Sequence, residues 1–465
     1  MLRKVRIILA AVFFVGITLL ILGIGAGWWG WMAKLQFFPS VLRVIGSATL
    51  LNIGILAGLL ALTFLFGRVY CSVICPLGVL QDLALRLRNL VGVKKKFSFK
   101  PELKVVRYGF LILTVASMIA GLQVIAALIA PYSAYGRIVR GICGIGNGGP
   151  LALILLGCGT FILIVALAVT GGRWWCGNVC PVGTFLGLIS RFSIFKIRID
   201  WSKCVGCGLC AANCKASCID SRSGKIDASR CVGCFDCIGS CHVGALSFSA
   251  RKSARPEARR TDVPEEGSGV SRRAFLATAA VLGTGAIAKA ADKLQGGLAP
   301  IVPKSEPARK VEILPPGAWS VAAFSEACTS CQLCVSSCPN GVLKPSSSLE
   351  SLLQPRLSYT DGWCRPECTE CSDVCPFGAI RPITREEKTT IKIGTASVNA
   401  ELCTSCGHCA KKCPSGAIRI LKVGERLLPV VDEGKCLGCG ACEYLCPVRP
   451  ESAIMVSGLE KHVRI

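Results

Sequence analysis

Two stretches carry the same arrangement of thiols, "CVGCGLCAANC" at 204–214 and "CVGCFDCIGSC" at 231–241. In the spacing CxxCxxCxxxC, three cysteines can grip one iron-sulfur cubane while the fourth ligates a second. This assigns Cys204, Cys207, Cys210 and Cys241 to one 4Fe-4S cluster, and Cys231, Cys234, Cys237 and Cys214 to another. Lys215 and His242 stand where proline usually follows the fourth cysteine, and Cys218 rivals Cys214 as a ligand.

Four more sets follow, each ending before proline: Cys328, Cys331, Cys334 and Cys338; Cys364, Cys368, Cys371 and Cys375; Cys403, Cys406, Cys409 and Cys413; Cys436, Cys439, Cys442 and Cys446. The set at 364–375 departs from the pattern, with three residues between its first two cysteines. Zinc ribbons use CxxC pairs but need neither the third cysteine nor the fourth before proline. The last two sets pair reciprocally in this reading, Cys446 joining the first three of one set and Cys413 the first three of the other. Spacing leaves the pairing within 328–375 open. Six sets of four account for 24 of the 31 cysteines.

Four others lie in an internal repeat, "GRVYCSVICPLG" at 67–78 and "GRWWCGNVCPVG" at 172–183. Each copy follows an apolar stretch, so Cys71, Cys75, Cys176 and Cys180 could meet at one membrane face as a further soft-ligand site for iron. The alternative is that Pro76 and Pro181 only interrupt helices and the thiols pack as small apolar groups. Cys143 and Cys158 have no such partners and read as buried side chains.

These cysteines need a scaffold that is partly in a bilayer, because 52% of the residues are hydrophobic. Apolar stretches at about 7–27, 45–67, 108–130 and 150–171 have the ~20 residues that a crossing requires. Arg68, Arg86, Arg88, Lys94, Lys95, Lys96, Lys100, Lys104 and Arg107 put the segment between the second and third on the cytoplasmic side. The net charge of +25 is thereby accounted for by topology, and nucleic acid is not an expected partner. Residues 251–270 form a polar linker, and "SRRAFLATAAVLGTGAIAKAADK" at 271–293 has the twin arginine, apolar run and small residues of an export signal. Arg272 and Arg273 would engage twin-arginine export machinery, which carries cargo folded around its cofactors. The expected architecture is a four-span helical membrane domain (1–192), a cytoplasmic two-cluster ferredoxin domain of α+β type (193–250), the linker, a fifth, signal-like apolar segment (271–291), and an exported four-cluster ferredoxin-like domain (292–465).

The four spans, the two GRxxCxxxCP copies and the ferredoxin tail resemble the NapH-type membrane subunit of the quinol dehydrogenase serving periplasmic nitrate reductase. SRRAFL, "PPGAWSVAAF" and the four later sets resemble its exported NapG or MauM-type ferredoxin partner. The chain looks like the two fused end to end, which explains an export signal after 270 residues. The resemblance implies a multi-pass protein of the bacterial inner membrane that draws electrons from quinol and passes them to a periplasmic redox protein or terminal reductase. Two other classes remain open: a redox-sensing or metal-handling accessory membrane ferredoxin, and electron entry from a cytoplasmic reductant into the quinone pool. No haem-attachment, Walker or nicotinamide pattern stands in the sequence, so no separate catalytic centre is expected.

Overall fold

The computed structural model describes residues 2–250 and 304–465, except 25, 47–48, 93–95, 120–122, 148–150, 222, 349 and 424–425. The linker, Arg272, Arg273 and the signal-like segment lie outside the described residues.

Helix α1 (Leu2–Ile21) is followed by the short α2 (Ala26–Lys34) and α3 (Phe37–Gly46), then by α4 (Leu50–Phe66). Gly67 ends α4 in the left-handed region (φ 73°), its N–H closing on Thr63 O. The chain then makes the one-turn α5 (Tyr70–Val73) and the polar-faced α6 (Pro76–Leu90). α7 (Lys104–Ile119) and α8 (Gln123–Ile129) occupy the third apolar stretch. α9 (Pro131–Asn147) packs along α10 (Leu151–Gly171), where Gly141 and Gly157 let the two backbones touch. Cys143 and Cys158 on these helices are half-buried, not buried as expected. Among the described residues two helices are long and apolar enough to cross a membrane, Leu2–Ile21 and Leu153–Gly171; α4 is apolar with 17 residues.

The two cysteine repeats fold alike. Gly172 (φ 70°) ends α10 as Gly67 ends α4, and a π turn (Trp175–Val179) replaces α5. In both copies the second cysteine donates its N–H five residues back, Cys75 to Tyr70 O and Cys180 to Trp175 O, each at 3.0 Å. Pro76 and Pro181 then occupy the first turn of α6 and α11 (Pro181–Ser190), where a missing N–H costs nothing. These prolines therefore start helices, against the alternative that they only interrupt them.

The repeats lock onto each other through their arginines. Arg68 Nη2 donates to Cys176 O at 2.7 Å and Arg173 Nη1 to Cys71 O at 2.7 Å, each reaching the opposite copy. Room for this comes from the glycine that closes each motif: a Cβ on Gly78 would lie 2.1 Å from Cys71 O, and one on Gly183 2.3 Å from Cys176 O. Arg173 also donates Nε to Asp82 Oδ1 at 3.0 Å. Asp82, buried on α6, pairs in addition with Arg6 and with Lys215 (3.2 Å). Burial alone would raise the Asp82 carboxyl; the cations of Arg173, Lys215 and Arg6 outweigh it and hold it well below the ordinary carboxylate range.

Lys215 belongs to the first ferredoxin-like part, whose antiparallel strands β1 (Lys196–Ile199) and β2 (Leu246–Ser249) pair Lys196 with Ser249 through Ile199 with Leu246. It seats on the ends of α4 and α10: Arg173 N donates to Lys215 O (2.8 Å), Arg68 Nη1 to Ser229 O (3.0 Å), and Gly233 lies against Val69. Residues 304–465 seat at the other end of the helices. There Arg140 Nη2 donates to Val374 O (3.3 Å), Leu333 covers Gly136, and Leu42 with Ala126 packs on Leu352 and Leu353. This part holds three two-stranded antiparallel sheets, β3 (Leu343–Pro345) with β4 (Pro355–Leu357), β5 (Ile391–Val398) with β8 (Ile454–Arg464), and β6 (Ile418–Val423) with β7 (Arg426–Val431).

Gly78→Ala and Gly183→Ala should each destabilise the helical domain by about 1–3 kcal/mol through overpacking, and to similar extents, because they sit at equivalent places. Thermal unfolding and maleimide labelling of Cys71 and Cys176 in the two variants check this. Asp82→Asn should cost about 3–5 kcal/mol by leaving buried cations unpaired. A carboxylate whose folded pKa is depressed stabilises at every pH above its unfolded value of ~4 and loses that contribution only as pH falls further. Hydrogen exchange in 193–250 should thus stay slow from neutral pH to about 4 in the wild type and be fast throughout in the variant.

Candidate metal centres

Each CxxC turn is built from two left-handed residues flanking its second cysteine: Gly206 and Gly208, Gly233 and Phe235, Ser330 and Gln332, Ser405 and Gly407, Gly438 and Gly440. Alternation of this kind turns successive N–H groups toward one point, a nest for negative charge. Ser330 N and Ser405 N accordingly lie 3.5 and 3.4 Å from the sulfurs of Cys328 and Cys403. Phe235, Ser330, Gln332 and Ser405 hold this conformation without glycine, at a cost of order 1–2 kcal/mol each. The set at 364–375 lacks the pair: Thr369 follows Cys368 at φ −114°, and the helical turn begins at Glu370, two residues after the second cysteine as in the other sets. The extra residue seen in the sequence is therefore taken up before Cys368, within residues 365–367.

The sets pair reciprocally. Cys328, Cys331 and Cys334 share their electrostatic neighbourhood with Cys375, and Cys364, Cys368 and Cys371 share theirs with Cys338. The pairing that spacing left open is therefore that of a two-cluster ferredoxin. Cys436, Cys439 and Cys442 gather with Cys413, and Cys403, Cys406 and Cys409 line a small void with Cys446, both as expected. A second void is lined by Cys328, Cys331, Cys334 and Cys375. The two pairs abut where Cys364 N donates to Cys439 O (3.0 Å), and the buried Tyr359 bonds Gly438 O (2.7 Å) at the same seam.

In the first ferredoxin-like part, Cys204 and Cys207 neighbour Cys210, and Cys237 neighbours Cys234, Cys231 and Cys214. Cys241 sits in the same core, its sulfur 3.3 Å from Ala245 N. Cys218 is fully buried, 3.5 Å from the Cys214 sulfur, and its hydrogen bond draws Cys214 down to about 7. Cys218 hydrogen-bonds the Cys231 side chain as well, whereas Cys214 acts on Cys231 only through its charge, so the rivalry between Cys214 and Cys218 has a structural basis.

Cys71, Cys75, Cys176 and Cys180 come together as a buried tetrad, held by the crossed arginines. Arg68 Nη2 is 3.8 Å from the Cys71 sulfur. Cys234 packs into the same core, next to Arg173. Sulfur-only donor sets around small voids fit iron-sulfur cubanes. Burial pushes the Cys331 thiol up to about 11 and those of Cys234 and Cys439 to about 12, so a cationic core is what makes thiolates at these places.

The basic residues counted for topology include three with a structural task that the sequence did not reveal. Arg68 and Arg107 both bind Ser229 O, and Arg88 Nη1 donates to Val169 O at 2.9 Å. The signal for Arg68 was the GR shared by both repeats. Asp82, the acid on which three cations converge, shares the basic segment with Glu102 and carries no motif that marks it.

Sequence comparison adds the family. A 4Fe-4S binding domain matches residues 49–97 and again 153–200, one match for each CxxxCP repeat, and a 4Fe-4S dicluster domain matches 363–417 and 402–449. The chain is 31% identical over 196 residues to an uncharacterized protein of Methanocaldococcus jannaschii, covering 41% of this chain and 68% of that one. It is 29% identical over 180 residues to the ferredoxin-type protein NapH of Haemophilus influenzae, covering 38% of this chain and 55% of NapH. It is 34% identical over 170 residues to the methylamine utilization ferredoxin-type protein MauM of Methylobacillus flagellatus, covering 33% of this chain and 71% of MauM. The chain spans little more than half of NapH and most of MauM. With its paired cysteine sets and duplicated CxxxCP hairpins, it belongs to the NapH/MauM-type ferredoxin-like proteins.

Proposed function

We propose that this chain is an inner-membrane electron-transfer protein that takes electrons from quinol on one side and delivers them to a periplasmic redox protein or reductase on the other. The observation that carries this reading is the seating of two ferredoxin-like parts at opposite ends of one helical domain, with the CxxxCP tetrad inside it. When bound, each 4Fe-4S cluster accepts and releases single electrons.

The residues divide that task among themselves. Cys204, Cys207, Cys210 and Cys241 would hold the outermost cytoplasmic cluster, and Cys231, Cys234, Cys237 and Cys214 the one against the bundle. The tetrad would hold a further cluster, with Arg68 and Arg173 compensating its thiolate charge. Cys328, Cys331, Cys334 and Cys375 would hold the cluster against the far end of the bundle; Cys364, Cys368, Cys371 and Cys338 the next; then Cys436, Cys439, Cys442 and Cys413; and Cys403, Cys406, Cys409 and Cys446 the outermost. Cys406 and its neighbours Thr404 and Ser405 are exposed, which suits contact with a soluble partner. The reading includes four spans, with Leu50–Phe66 and the α7–α8 stretch as the second and third, and export of the C-terminal part through Arg272 and Arg273.

Anaerobically purified protein should contain about 24 iron atoms per chain from six cubanes, or about 28 with the tetrad occupied. Cys375→Ser should remove one cluster and leave the others, and a loss confined to the 403–446 pair would refute the pairing. The electron paramagnetic resonance signals of reduced clusters should appear on adding a quinol analogue. Protein that stays oxidised while dithionite reduces it would rule out a quinol donor. In spheroplasts, external protease should digest residues 304–465 of the native chain and spare them after Arg272→Lys with Arg273→Lys. Protection of both chains would put every cluster on the cytoplasmic side.

A further inference from the structure

Between the first ferredoxin-like part and the helices lies a cavity of about 220 Å³, bordered by the end of α4, the end of α11 and the β1–β2 sheet. We infer that it receives the ring of a lipophilic quinone. This inference rests on the quinol reading above and gives it a location.

The shape of the lining is the first reason. Phe66, Phe195 and Phe248 form a stack with centroids 5.5–6.4 Å apart and planes within 22–30° of one another, and Trp201 adds a fourth aromatic. Aromatic faces favour offset stacking with another flat ring. A cavity of ~150 Å³ accepts benzene, so this one has room for a larger substituted ring.

The polar groups in the lining are the second. Ser190 and Ser193 gather beside the bare Cα of Gly67, where a Cβ would lie 3.2 and 3.7 Å from their hydroxyl oxygens. Both hydroxyls give their hydrogens to main-chain carbonyls, Ser190 to Ala228 O (2.8 Å) and Ser193 to Ser190 O (2.9 Å). What they have left is acceptor capacity, the complement of a quinol O–H. The two cations of the lining are turned to the main chain: Lys196 Nζ donates to Arg191 O (2.5 Å), and Arg198 donates to Ser249 O (3.2 Å) and Ala250 O (3.3 Å). A lipid phosphate would call for cations aimed inward, so the chemistry favours a neutral ring over a lipid head group.

Access and neighbours are the third. The cavity begins at Phe66, and Phe64, Leu65, Phe192 and Ile194 leave an exposed apolar track beside it at the end of a lipid-facing helix. An isoprenoid tail could lie along that track. Inside, the lining includes Cys231 and Gly233, residues of the cysteine set nearest the tetrad. A ring in this cavity would therefore touch the protein directly beside a cluster ligand. Oxidation of one quinol there would release two protons to water and two electrons, which clusters held by these cysteine sets would take one at a time.

The test uses the full chain in lipid nanodiscs and the fluorescent quinol analogue 2-heptyl-4-hydroxyquinoline N-oxide. Ala228→Trp fills the cavity, and Val79→Trp fills a separate cavity between α1 and α6. Quenching titrations should show at least tenfold weaker binding for Ala228→Trp and wild-type binding for Val79→Trp, with iron content unchanged in both. An azidoquinone should photolabel the wild type within 190–201 or 224–233, a readout that needs no variant. Wild-type affinity in Ala228→Trp, or labelling only elsewhere, overturns this site while leaving the quinol reading intact. A wild type that neither binds the analogue nor is reduced by quinol overturns both.

Discussion

Two buried guanidinium groups govern this structure. Arg68 and Arg173 are almost wholly removed from water, and an unpaired charge so placed costs several kcal/mol even after relaxation. The chain meets that cost by giving each arginine the main-chain carbonyl of the other repeat's first cysteine. Those carbonyls are available because the helix has been stopped at a left-handed glycine and restarted at a proline, leaving a one-turn bend between. The carbonyls can be reached because the closing glycine has no side chain. Every fixed position in GRxxCxxxCPxG thus has a part in one bond pattern, and the meeting of four thiols follows from it.

The same arginines determine how the first ferredoxin-like part is held. Arg68 goes on to Ser229 O, and Arg173 goes on to Asp82, which takes Lys215 from the domain and Arg6 from α1. Lys215 also pairs with Asp236, and so does Arg3. A network in which every cation finds an anion or carbonyl defines one docking geometry, whereas a greasy interface of similar area would tolerate sliding. The presence of lysine after Cys214, where related sets carry proline, then has a reason: its ammonium joins the domain to the bundle.

Much of this was legible in the sequence, because cluster ligation imposes short, regular spacing that no packing requirement mimics. The six sets, the duplicated hairpin and the reciprocal partners of Cys413 and Cys446 could all be read that way. What could not be read depends on contacts distant in sequence. The pairing of the 328 and 364 sets required the fold, since an extra residue and 25 intervening positions obscure it. The cations at 68, 88 and 107 looked like topology signals because composition cannot tell a solvated arginine from one bonded to a distant carbonyl.

A bilayer's hydrocarbon is about 30 Å thick, yet the helical domain is not built from long helices alone. In the fold, α2 and α3 lie inside the bundle. Tyr70, directly before Cys71, receives the Phe37 N–H on its hydroxyl at 2.9 Å, and Gln36 donates to Ile74 O at 3.3 Å, so the start of α3 touches the tetrad's own loop. Six residues further along α3, Arg43 stands within electrostatic reach of Cys328. At 1.5 Å per residue that is about 9 Å of helix. Tyr132 against Phe377 and Leu333 against Gly136 close the remaining space with side chains. The interior between the tetrad and the 328–338 set is therefore packed protein, one cluster that includes Cys71, Cys75 and Cys180 at one end and Leu333 and Cys331 at the other. A helix too short to cross a bilayer is the element that makes it so.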